Sequence, residues 1–447
     1  MPTGSRLTAG TFCEPKTEYG FFGRDLDVLA IERGLLRHNL LLVRGMGGAG
    51  KSTLLRHLGY WWQRTGWIDQ VFEFSYDQRC WTRQQILSAI ARQLLTPTDY
   101  GSFLPMSQTE QQAKIVQLLR ARRHLLLLDN LETITGSHLA VGQALSETER
   151  NDLKEFLSQL IRGGSFVLLG SRAGEDWLNP GTFERNIHEL QGLDPTARAL
   201  MTYTILRRVG QDALLSAVAS PDPEQTAVLD DLQRLLKLLG GFPLAMEVVL
   251  PALANEPLQN VLAALEGGDV DLDCGDPEDK TQSIVRCIDY AYSRLDAGAQ
   301  QLLACLAPFT GVFNTTCQDE YLEHLRRQDA LQALPFNRWD EVLRATVQWG
   351  LVTEDAHLLG LLHLQPTLPF FLRQRPNALP EQRTAIEAAF REHCRGYVPA
   401  VATSYLSRDP EEKLLAQRSP TTGGHLPAPG RRRTPVAHVG PGRSVLP

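Results

Sequence analysis

An α/β fold is predicted for the first half of the chain: a parallel sheet with helices on both faces, followed by a helical domain and a winged-helix-like domain. Three observations predict it. Short apolar runs recur at Leu40–Val43, Leu125–Leu128 and Phe166–Leu169, with Val71-Phe72-Glu73-Phe74 as a further strand-like stretch. Stretches of helical periodicity separate these runs, and strands that alternate with helices and are apolar throughout belong to a parallel sheet buried on both sides. Beyond Leu193 the strands stop, and helical patterns lead to one short hairpin candidate near residue 355.

Taken in order, residues 1–20 are polar without a clear period and read as a leader or linker. Residues 21–194 form the α/β unit. In it Leu54, Leu55, Leu58, Trp61 and Trp62 mark a helix starting at Ser52, and further helices are expected around Gln84–Leu95 and Glu110–Arg120. Residues 195–265 read as a small helical domain, and the acidic stretch 266–282, with Gly and Pro, as a linker. Residues 283–375 carry helices and then Gly350–Thr353 and Leu358–Leu362 as a hairpin, which together suggest a winged helix. A helical segment follows at 376–417. The tail 418–447 holds six Pro, five Gly, five Arg and no acid, a composition that cannot build a core and reads as disordered.

Composition limits the function classes. A length of 447 residues, 43% of them hydrophobic, is enough for about three domains. A net charge of -6 gives no general attraction to nucleic acid or to an anionic membrane. Cys13, Cys80, Cys274, Cys287, Cys305, Cys317 and Cys394 form neither a CxxC nor a zinc spacing, which points to reduced, packing thiols. There is no signal-peptide core and no apolar run of about 18 residues. The expected location is the cytoplasm, without a membrane partner.

The chemistry concentrates in a few motifs. Gly45-Met46-Gly47-Gly48-Ala49-Gly50-Lys51-Ser52 follows an apolar strand and opens a helix. This is a P-loop: glycines let backbone N–H groups turn toward a phosphate, and the helix N-terminus adds its positive end. Lys51 is assigned to the β- and γ-phosphates and Ser52 to Mg²⁺, with Ala49 and Thr53 completing the stretch that contacts the nucleotide. The run Leu125–Leu128 ends in Asp129, placed to hold the Mg²⁺ through water. Asn130 follows where many ATP-driven motors have Glu, and an amide cannot act as a base. Glu132 is the alternative base but sits two positions further on, so slow hydrolysis is expected. Leu168-Leu169-Gly170-Ser171-Arg172 ends another strand, with Arg172 assigned either to the γ-phosphate or to a structural salt bridge. Gly240-Gly241-Phe242-Pro243-Leu244 starts a helix, where a rigid proline can lie against a purine ring or simply open the helix. Asp269, Asp271 and Asp273 imitate a calcium loop but fail at Cys274 and Lys280, and Arg431-Arg432-Arg433 is read as part of the tail.

The order Phe22-Gly23-Arg24, P-loop, Asp129-Asn130, Gly170-Ser171-Arg172 and Gly241-Phe242-Pro243 resembles the signal-transduction ATPases with numerous domains (STAND), and within them the NB-ARC type. The resemblance covers residues 20 to 375. It implies an AAA-like nucleotide domain, a helical domain and a winged helix that bind ATP or ADP with Mg²⁺. It also implies that Phe22, Gly23, Arg24 and Pro243 contact the nucleotide. Leu362-His363-Leu364 lies where the family places its Met-His-Asp motif, so His363 would meet the β-phosphate of ADP, although its neighbours differ from the motif. The family implies a switch: ADP closes the domains together, and ATP opens them and permits self-oligomerisation. Family members usually carry an effector and a repeat sensor. The first twenty residues are too few for the former and the tail interrupts the latter, so a core whose effector and sensor lie elsewhere, or a truncated frame, is expected. The alternative readings are an AAA+ ATPase acting on DNA and an ATP-driven chaperone. The first needs a basic recognition helix, but the candidate Asp340–Trp349 holds only Arg344. The second lacks an acid directly after Asp129. No NKxD-like guanine signature is present, and the resemblance favours adenine.

Overall fold

The computed structural model describes residues 12–15, 17–76, 79–135, 144–219, 226–267, 277–309, 311–355, 359–365, 368–375 and 380–406. Strands β1 (Leu40–Gly45), β2 (Val71–Ser75), β3 (Leu125–Asp129), β4 (Phe166–Ser171) and β5 (Ile187–Leu190) form one sheet in the order β2-β3-β4-β1-β5, every pair parallel. The helices of this unit are α1 (Asp25–Arg37), α2 (Lys51–Arg64), α3 (Arg83–Leu94), α4 (Pro97–Phe103), α5 (Gln108–Ala121) and α6 (Glu147–Gln159). Three of them start on reciprocal caps, in which Thr82, Ser107 and Ser146 each exchange bonds with a Gln or Glu three residues on.

The sheet divides its apolar residues by parity, as strand geometry demands. Leu40, Leu42, Leu126, Leu128, Val167 and Leu169 face a core shared with α3, α5 and α6. Leu41, Val43, Leu125, Leu127, Phe166 and Leu168 face a second core that includes Leu54, Leu58 and Trp62 of α2. This second core runs on without a break through Leu244, Ile288 and Phe313 to Leu372.

Strand β5 was not legible as an apolar run. Only Ile187 and Leu190 are apolar, because this is an edge strand whose polar side chains find partners: His188 Nε2 lies 2.8 Å from Asp27, and Arg44 Nε donates to Glu189 over 2.7 Å. The segment read as a leader contributes to the fold. Tyr19 is buried in the second core, Phe12 packs against it, and Glu18 pairs with Arg208.

Beyond the sheet come α7 (Pro195–Arg208), α8 (Asp212–Ala219), α9 (Thr226–Leu238), α10 (Pro243–Val249) and α11 (Leu258–Gly267). Asp194 caps α7 by accepting from the Thr196 and Ala197 N–H groups, with Pro195 at the first helical position. Then follow α12 (Pro277–Ser293), α13 (Ala297–Ala304), β6 (Val312–Asn314), α14 (Gln318–Arg326), α15 (Trp339–Gln348), β7 (Val352–Glu354), β8 (Leu361–Leu364), α16 (Leu368–Gln374) and α17 (Pro380–Leu406). Helix α12 begins inside the stretch read as a linker. The expected two-stranded hairpin is the β7–β8 part of a three-stranded antiparallel sheet, ordered β6-β8-β7. Its second strand starts at Leu361, later than the run at Leu358 suggested, because Leu359 and Gly360 are spent on the turn. The acidic triplet at 269–273, the arginines at 431–433 and the tail 418–447 lie outside the described residues. No helix among the described residues is long and apolar enough to cross a membrane.

A partly buried acid marks the junction of α10 with the three-stranded sheet. Gln365 Nε2 donates to Glu247 Oε2 over 3.4 Å, and a side chain on Gly350 would clash with the Glu247 carbonyl. Burial, with Glu18 nearby, pushes the Glu247 carboxyl up to about 7. The protonated form is therefore favoured in the folded chain. Its contribution is fully present below the ordinary glutamate value of 4.5 and is lost as pH rises through about 7. Thermal unfolding of Glu247→Gln is expected to lack that loss between these pH values; a wild-type and a variant curve of the same pH slope would show that the junction is insensitive to this proton.

Candidate nucleotide-binding site

The P-loop joins the end of β1 to the first turn of α2. Gly48 and Gly50 have φ of 78° and 88°, the left-handed region that only glycine enters without strain. Lys51 folds back over the loop, its Nζ donating to the Gly45 carbonyl at 2.7 Å and the Met46 carbonyl at 3.0 Å. Burial holds its ammonium below the usual lysine range, against the opposing charges of Glu132 and Asp129. Ser52 and Thr53 follow in the first turn, both partly exposed.

Asp129 ends β3 fully within the protein. Burial pushes its carboxyl above the usual aspartate range, opposed by a hydrogen bond from Ser52 and by the charge of Lys51. Room for this carboxylate comes from Gly170 on the neighbouring strand, where a Cβ would overlap Asp129 Oδ1. The glycine of the Gly170-Ser171-Arg172 motif thus serves Asp129. Asn130 has a φ of 59° and turns its own N–H onto Asp129 Oδ1 at 2.9 Å, while its amide reaches Ser75.

Glu132 is buried and engaged: Arg172 Nε lies 3.1 Å away, and both the Arg172 N–H and the Ser171 hydroxyl are 3.2 Å from its Oε2. The same Arg172 guanidinium lies over the P-loop, within 3.1–3.3 Å of where a Gly47 side chain would begin. Arg172 thus forms the ion pair with Glu132 and also stands as a cation beside the loop. Glu175, which sequence reasoning missed, joins the group. Its carboxyl accepts from Ser171 and from Trp177 Nε1, and burial raises its pKa. An acid four residues after Ser171 in a loop carries no pattern that would have singled it out.

Arg24 reaches the loop from α1. Its guanidinium donates to the Ala49 carbonyl at 2.7 Å and the Gln191 carbonyl at 2.8 Å, and pairs with Asp27 at 3.1 Å. It holds the P-loop backbone. Gly23 packs against Ala197, where a Cβ would stand 2.6 Å from the alanine methyl, and Phe22 packs on the second core. From the helical side, Pro243 Cγ is 3.8 Å from the Cβ position of Gly50, the Leu244 N–H faces the Gly48 carbonyl at 3.4 Å, and the Leu244 side chain covers Gly48. Ile284 of α12 touches the same glycine. His363 stands on β8 opposite Val312 and Thr353, with its Nε2 3.0 Å from Asp355.

Residues 39–208 match the family model of the NACHT domain. This segment is a P-loop NTPase of the STAND class. The matching type is NACHT, where the motifs had suggested the related NB-ARC type. The NACHT stretch contains the P-loop, Asp129, Glu132 and Arg172, and ends before Pro243 and His363. Among solved structures, the chain is similar to a STAND protein with a tetratricopeptide repeat sensor from Pyrococcus horikoshii. That likeness has 15% identity and a TM-score of 0.45, and covers 90% of this chain and 48% of the other, so the chain spans about half its length. It is also similar to a Walker-type ATPase of Pyrococcus abyssi, at 15% identity and a TM-score of 0.38 over 82% of this chain and 99% of that one. A third likeness is to Cdc6p from Pyrobaculum aerophilum, at 15% identity and a TM-score of 0.32 over 85% and 96%. No curated protein matches the chain.

The NACHT segment fits a nucleotide with Mg²⁺. The loop has its left-handed glycines, Lys51 at its head, and the Ser52 hydroxyl beside the Asp129 carboxyl in a pocket that Gly170 leaves open.

Proposed function

We propose that the chain is an ATP/ADP-dependent molecular switch that turns over slowly and self-associates in its ATP form. One observation supports this most. The start of α10, at Pro243 and Leu244, touches the P-loop at Gly50 and Gly48. A phosphate group arriving at the loop must alter or use this contact, so nucleotide identity is felt directly by the helical domain. A ligand moves such an equilibrium only by its differential affinity for the two forms.

Ser52 and Asp129 are the residues that would hold Mg²⁺, and the ion supplies charge neutralisation at the phosphates. Lys51 adds a fixed positive charge. Slow turnover follows from the acids. Asn130 has no basic group, and Glu132 is tied to Arg172 and Ser171. Arg172 is the candidate for coupling: it bridges Glu132 and the loop at Gly47, so a γ-phosphate competes with Glu132 for the same guanidinium. Adenine is favoured over guanine by the family resemblance. In this reading His363 leaves Asp355 to meet the β-phosphate in the closed form. A DNA-acting role has no support from α15, whose Trp339, Val342, Leu343 and Thr346 are buried and whose first turn is acidic.

The chain purified without added nucleotide, then denatured and chromatographed, is expected to release one ADP. ATP, but not ADP, should shift its mass in light scattering, and His363→Ala should lose ADP sooner. A chain that comes out empty, hydrolyses ATP many times per second and stays monomeric with ATP would contradict the switch.

A further inference from the structure

We propose that Glu320, His324 and His393 form a binding site for a zinc-like divalent transition metal. They meet where α14 packs along α17, in a region none of the nucleotide chemistry uses. Glu320 and His324 are four residues apart on α14, which puts both side chains on one face of the helix. His393 comes from the middle of α17. One ligand atom from each of the three lies within 4.8 Å of the other two. Zinc binds imidazole nitrogen and carboxylate oxygen at about 2.0–2.2 Å, so two ligands on a tetrahedral ion stand roughly 3.3–3.6 Å apart. Closing the triad needs only side-chain adjustment.

The surroundings suit a metal with three protein ligands and one open position. The His324 and His393 rings stand 6.1 Å apart between centroids and are inclined by 63°, edge to face rather than stacked. His393 is fully buried, walled by the rings of Phe309 and Tyr321. Its position is therefore fixed by packing, which preorganises one ligand. Glu320 is exposed and His324 partly so, which gives an ion access and leaves water to fill the fourth position. Two imidazoles and one carboxylate select zinc, copper or nickel over magnesium or calcium, which prefer oxygen ligands. The site is thus chemically distinct from the Ser52–Asp129 pair. Its occupant would clip α17 to α14 and so fix the last described helix.

The test uses the full chain, without a histidine tag, stripped of metal and saturated with Mg·ATP. Zn²⁺ is titrated against a chromophoric chelator, and Co²⁺ is followed by its visible spectrum. The expected result is one Zn²⁺ per chain and a rise in melting temperature on binding. Affinity should fall by about 100-fold or more in His324→Ala and by at least about tenfold in Glu320→Gln, at or beyond the roughly 10–100-fold that losing an outer-shell partner costs. Both are surface-accessible positions, so both variants should fold; His393→Asn then tests the buried ligand. Absence of stoichiometric binding would overturn the proposal. Equal affinity in wild type and in both surface variants would also overturn it, because the ion would then sit on cysteines or on Asp129.

Discussion

Replacing Lys51 with alanine is expected to lower nucleotide affinity by at least about 100-fold, or roughly 2.7 kcal/mol. The ammonium is the only cation at the head of the P-loop that belongs to the loop itself, and it already lies against the Gly45 and Met46 carbonyls. A bound phosphate would draw it off those carbonyls. The loss should appear with ATP and ADP alike, because both carry a β-phosphate. Calorimetric titration with each nucleotide, together with circular dichroism to verify the fold, decides the matter. A folded variant that binds near-normally would remove the P-loop from the function.

Gly170→Ala is expected to have the second largest effect, and it separates the magnesium site from the phosphate cradle. The new methyl would overlap Asp129 Oδ1 and come within 2.8 Å of Leu55 Cδ1. Strand β4 is buried along its whole length, so neither neighbour can yield freely. Overpacking of this kind costs about 1–3 kcal/mol. The carboxylate must shift from the position in which it accepts from Ser52, so the part of ATP affinity that depends on Mg²⁺ should fall about tenfold or more, while binding in EDTA changes less. Gly101→Ala is the control, since a Cβ there meets nothing within 4 Å and the residue lies in a helix. Unaltered stability and unaltered Mg²⁺ dependence in Gly170→Ala would show that Asp129 does not hold the ion.

The parts of this molecule that were legible in its sequence are those in which one local rule decides the outcome. Strands buried on both faces, such as Leu125–Leu128, are apolar where they cross the core, so β1, β3 and β4 could be read directly, and β2 shows the same run broken by Glu73 at the other edge of the sheet. The P-loop could be read because phosphate chemistry fixes residue type and spacing together. What was not legible depends on partners distant in sequence. Strand β5 looks polar because His188 and Glu189 find their partners in Asp27 and Arg44. The motif glycine at position 170 looked like a strand end and turned out to be the space for an acid more than one element away. Arg24, assigned by resemblance to the nucleotide, holds the Ala49 carbonyl, a role that needs the folded loop to be visible. Glu132 could be named as an acid near the site, but its engagement by Arg172 and Ser171 needs two strands side by side.

The second core, which passes without interruption from under the sheet to Leu372, has a thermodynamic consequence. Because the sheet unit and the helices beyond it share this core, unfolding either exposes apolar surface of the other, and a ligand that binds only the folded chain stabilises both. A ligand at 100 times its dissociation constant adds about 2.7 kcal/mol to the folded state. The chain also contains its own reporters: Trp61, Trp62, Trp67, Trp81 and Trp177 lie in the sheet unit, and Trp339 and Trp349 beside the three-stranded sheet. Emission from the last two, far along the chain from the P-loop, should follow occupancy at Lys51 as closely as emission from the first five.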